Sequence, residues 1–68
     1  MEAFKERLKE LRKSKQLSQK ALAEALGTTN SSVCDWERGR SQPDIVMLAK
    51  IANYFEVTTD YLLGLSDI

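Results

Sequence analysis

Apolar side chains at Phe4, Leu8 and Leu11 recur at helical spacing in an otherwise charged stretch. The chain is therefore expected to open with an amphipathic helix over residues 2–14, its charged side chains outward. Glu2 near the start and Lys13 and Lys15 near the end suit the helix dipole. The next stripe is Leu22, Ala23 and Leu26, with Ser18 placed to cap that helix. Gly27 stops it, because a residue without a Cβ enters the left-handed conformation at no steric cost. A third helix is expected from about residue 29 to residue 38, capped by Thr28 and ended by Gly39, with Val33 and Trp36 facing the second helix. Residues 40–43 read as a loop, since Pro43 lacks an amide and disfavours helix at the residue before it. Asp44 then opens a fourth helix whose stripe is Ile45, Leu48, Ala52 and Phe55, widened by Met47 and Ile51. Thr58 can cap a short last helix containing Tyr61 and Leu62, and Gly64 sits where it stops. The expected fold class is all-α, five helices and no strands, in a single domain over residues 1–68.

Residues 19–39 place small and apolar side chains where two short helices cross around a turn, and leave Asn30, Ser31, Cys34, Asp35 and Arg38 on the outer face. Leu17-Ser18-Gln19 precedes this unit, Trp36-Glu37-Arg38-Gly39 closes it, and Pro43 follows. Leu48, Ile51-Ala52 and Thr59-Asp60-Tyr61-Leu62-Leu63-Gly64 lie beyond. In order and spacing these residues resemble the helix-turn-helix of the XRE and phage repressor/Cro family over nearly the whole chain. The resemblance implies a five-helix repressor-like domain whose helices 2 and 3 form the motif. It further implies a sequence-specific DNA-binding regulator, a repressor that puts its third helix into the major groove of a palindromic operator.

An α-helix fits the major groove, where base edges distinguish all four base pairs. Asn30, Ser31, Cys34 and Asp35 are the candidate base contacts. Asparagine pairs two-handed with adenine, serine bonds to several edges, aspartate accepts from the cytosine amino group, and Cys34 suits an apolar contact such as a thymine methyl. Thr28, Asn30 and Ser31 are equally the residue types that start helices, so composition leaves both readings open. Asp35 departs from the family pattern, which often has an amide or a basic side chain there. It reads a cytosine, penalises wrong sequences, or marks a surface that binds DNA weakly. Gln19 matches the glutamine that binds a phosphate in the phage repressors. Lys20, Thr28, Thr29, Arg38 and Arg40 are the other candidate phosphate contacts. By the same resemblance Arg12 and Glu37 match an internal ion pair that ties the first helix to the end of the recognition helix.

Composition narrows the alternatives. A chain of 68 residues buries only about 60% of its unfolded surface, so stability is expected to be modest. The 43% hydrophobic content argues against disorder, and no apolar run approaches the roughly 20 residues of a membrane span. The charged, amphipathic amino terminus is unlike a secretory signal, and a cytoplasmic location is expected. Cys34 is the only cysteine and histidine is absent, so neither an intramolecular disulfide nor a metal site is expected. No cofactor is expected either. Without histidine, a phosphate-cradling glycine loop or an activated nucleophile, the chain reads as no enzyme.

Net charge is zero, which is awkward for a DNA binder. Its distribution is uneven: residues 1–20 carry +4, residues 21–37 carry −3, residues 38–40 carry +2 and residues 41–68 carry −3. Basic segments thus bracket the motif, and the acidic carboxyl-terminal half is expected to face away from DNA. The competing class is a protein-interaction module that uses the same face, with Asp35 and Glu37, to bind a basic partner. Leu63, Leu65 and Ile68 are more apolar than a solvated tail requires. They are the candidate contact of a weak homodimer that spaces two recognition helices one DNA turn apart.

Overall fold

The computed structural model describes residues 2–68, which form five α-helices and no strand: α1 (Glu2–Ser14), α2 (Gln19–Leu26), α3 (Asn30–Arg38), α4 (Ile45–Phe55) and α5 (Thr59–Leu63). Each helix after the first starts on a side-chain cap that satisfies an orphan amide. Ser18 accepts from Ala21 N at 3.0 Å, Thr29 from Ser32 N at 3.1 Å, Asp44 from Met47 N at 2.8 Å and Thr58 from Tyr61 N at 2.9 Å. The cap of α3 is thus Thr29 rather than Thr28, one residue later than the pattern predicts. Thr28 is used differently: its amide donates to Ala23 O at 2.9 Å and closes α2 behind Gly27, which is left-handed at φ 72°.

α2 and α3 pack on each other, α1 lies against α3 and α5, and α4 against α2 and α5. The core is drawn from all five: Phe4 and Leu8 of α1, Leu22, Ala23 and Leu26 of α2, Val33 and Trp36 of α3, Ile51, Ala52 and Phe55 of α4, and Leu62 of α5. Fully burying one such aliphatic or aromatic side chain stabilises a fold by about 1.5–3 kcal/mol, so α3 is held from behind mainly through Val33 and Trp36.

Two expectations are corrected. Ile45 does not join the stripe of α4: it is 85% exposed, and Val46 beside it 78%. The covered face begins at the half-buried Met47 and Leu48, which pack against the core. Nor are the charges of α1 all outward. Arg7 stacks on the Tyr61 ring at 4.3 Å and donates through Nη1 to the carbonyls of Tyr61 and, at 2.7 Å, Ser66. Among the described residues no helix is long and apolar enough to cross a membrane.

Candidate nucleic-acid interface

The outer surface of the α2–α3 unit is built on a buried carboxylate. Glu37, on the last turn of α3, is 4% exposed. Its Oε2 accepts from Arg12 Nε at 2.7 Å and its Oε1 from Arg12 Nη2 at 3.0 Å, a two-pronged ion pair between α1 and α3. The remaining face of the guanidinium donates through Nη1 to Leu17 O at 2.8 Å, in the segment that leads into α2. Gln19 completes the cluster by donating from Nε2 to Glu37 Oε1 at 3.1 Å. One carboxylate therefore joins α1, α2 and α3. Arg12 is held charged above its ordinary value, chiefly by the hydrogen bond to Glu37; burial opposes this and the opposite charge supports it.

The rear of α3 is thus immobilised by packing and by an ion pair, which frees its front for contact. Asn30 and Ser31 are exposed on its first turn, directly after the cap. Thr29, also exposed, donates from its hydroxyl to Ser32 Oγ at 3.0 Å, so the cap and the first turn are tied together. Cys34 and Asp35 are half-buried rather than fully outward, Cys34 as a free thiol. They sit deeper than the helical wheel predicts, which leaves the leading turn as the most open part of the face. Arg38 and Arg40 are exposed at the opposite end of α3, separated by Gly39. Lys20 is exposed on the first turn of α2, next to the half-buried Gln19, and Thr28 is half-buried in the turn.

The positions expected to read bases therefore share α3. Those expected to touch phosphates lie at the start of α2, in the turn, on the last residue of α3 and just past it. Leu65 and Ile68 are 74% and 91% exposed, whereas Leu63 is half-buried. Sequence reasoning missed Arg7, which pins the carboxyl-terminal segment to α1. The available signal was its place beside the apolar stripe, one turn after Phe4 and one turn before Leu11. Among the described residues no group of three or more Cys, Asp or Glu side chains is arranged to hold a metal ion.

Residues 8–62 match the model of the helix-turn-helix family HTH_3. The chain is 43% identical over 60 residues to the SPbeta prophage-derived uncharacterized HTH-type transcriptional regulator YonR of Bacillus subtilis, covering 88% of this chain and 56% of YonR. It is 40% identical over 61 residues to the HTH-type transcriptional activator BcrR of Enterococcus faecalis, covering 90% of this chain and 30% of BcrR. Among solved structures, the restriction-modification controller protein C.AhdI of Aeromonas hydrophila superposes with a TM-score of 0.77 at 37% identity, over 87% of this chain and 86% of that one. The chain spans about half the length of YonR and a smaller part of BcrR.

Proposed function

The chain belongs to the XRE-type helix-turn-helix family, and from that premise we propose that it is a sequence-specific DNA-binding transcriptional regulator, a repressor acting from the cytoplasm by occupying a palindromic operator. The observation that carries the reading is the exposed first turn of α3, Asn30 and Ser31 behind the Thr29 cap, on a helix whose rear is locked by Val33, Trp36 and Glu37. Asn30, Ser31, Cys34 and Asp35 are the proposed readers of base edges. Gln19, Lys20, Thr28, Thr29, Arg38 and Arg40 are the proposed phosphate contacts, which set register without carrying sequence information. Relatives of similar identity include an activator, BcrR, so repression rests on operator occupancy blocking polymerase. No step of bond making is involved.

The proposed partner besides DNA is a second copy of the chain, held weakly through Leu63, Leu65 and Ile68. Ile45 and Val46 are the other large aliphatics left uncovered. Two-fold pairing would set the recognition helices roughly 34 Å apart, one turn of the duplex.

The deciding experiment is enrichment of sites from a randomised duplex pool at two salt concentrations. A two-fold symmetric consensus that survives the higher salt is expected, with a log-affinity slope against log salt near −5 for about six phosphate contacts per dimer. Sedimentation, alone and on the enriched site, is expected to show a dimer at least on DNA. Enrichment without any consensus would instead favour a protein-interaction module built on the same scaffold, with Asp35 facing a basic partner.

A further inference from the structure

Glu37 serves a second helix besides α1. Its Oε1 accepts from both Arg12 Nη2 and Gln19 Nε2, and Gln19 is the first residue of α2. A carboxylate paired with a guanidinium offers only acceptors, so it admits the amino end of a neighbouring carboxamide and rejects the carbonyl end. The Gln19 side chain is therefore fixed in one of its two orientations, with one N–H on Glu37 and the other still to be donated. Arg12 cannot easily shift to release it, because Nε and Nη2 hold Glu37 while Nη1 holds Leu17 O.

We propose that Glu37 is the positioning residue for Gln19: it orients the half-buried carboxamide so that an N–H donor is presented to a DNA phosphate. The inference rests on the DNA-binding reading above and deepens it. The ion pair that stabilises the motif also settles the polarity of a phosphate contact on a different helix. Replacing Glu37 by glutamine removes that selection, because a neutral amide accepts either end of Gln19.

A double-mutant cycle on a fluorescent duplex of mixed sequence tests this. Gln19→Ala is expected to weaken the wild type about tenfold, and to weaken the Glu37→Gln protein by less than about threefold. Equal effects in the two backgrounds would overturn the positioning role. Because Glu37→Gln is expected to lower stability, the wild type supplies an independent readout by NMR. Of the two Gln19 carboxamide protons, which slow C–N rotation keeps distinct in any case, the duplex is expected to shift the outward one more than the one facing Glu37. Equal shifts of both, or a larger shift of the one facing Glu37, would count against the proposal. A folded wild type that binds no duplex at all would instead remove the DNA-binding reading on which it rests.

Discussion

Arg7 and Arg12 leave the same helix and both carry a guanidinium inward, yet they hold different parts of the molecule by different means. Arg12 meets a carboxylate whose side chain is 1% exposed, in a two-pronged geometry, and locks α3 to α1. Arg7 meets backbone carbonyls and the face of Tyr61, and its only carboxylate, Asp67, stands fully exposed at 3.6 Å. In the first case the charges were taken out of water and depend on each other. In the second the polar partners are neutral and the ion pair is an addition in solvent. Geometry and burial, rather than residue type, decide which arginine the fold depends on.

The largest break in this comparison is expected from Glu37→Gln, which leaves the Arg12 charge without its partner and lowers unfolding free energy by about 3–5 kcal/mol in urea titration. A change of a few tenths would show that water compensates the pair. Its pH response has a definite sign. The Arg12 guanidinium is held charged above its ordinary value, so its contribution is complete at lower pH and lost only as pH rises through that raised value; urea midpoints of the Arg12→Met difference are expected to stay flat up to about pH 10.

Gly64→Ala is expected to come next, at about 2–4 kcal/mol, since φ is 80° and an added Cβ would lie 2.6 Å from Ala3 Cβ. Thermal unfolding of that variant measures how tightly α5 is pressed on α1. Arg7→Ala should cost about 1–2 kcal/mol through lost stacking and carbonyl bonds, with little dependence on salt. The smallest effect belongs to Asp67→Asn, for which no resolvable shift of the unfolding midpoint is expected at physiological ionic strength. A shift as large as that of Arg7→Ala would make the two arginine sites alike after all.

Much of the fold was legible because helix signals are local. Apolar spacing, a hydroxyl or carboxylate before each helix after the first and glycine after three of them identify all five elements, to within a residue at the start of α3. The family resemblance, read from Leu17 through Gly64, also supplied the expectation that the outer face of α3 is the reader. Missed details depend on what covers each surface. Helical spacing puts Ile45 on the stripe of α4, yet no neighbouring side chain covers it and it stays in water. The same limit hid Arg7, whose aromatic partner lies at the far end of the chain, and the depth of Cys34 and Asp35 in α3.

The sequence by itself determined the helices, their stops, and the polar outer face of the motif, since each follows from contacts within a few residues. Only the tertiary structure decided that Gln19 joins Glu37 beside Arg12, because residues of three helices meet there at hydrogen-bond distances that no spacing rule encodes. Side-chain periodicity specifies which way a residue points on its own helix. What it meets there is set by the packing of the others.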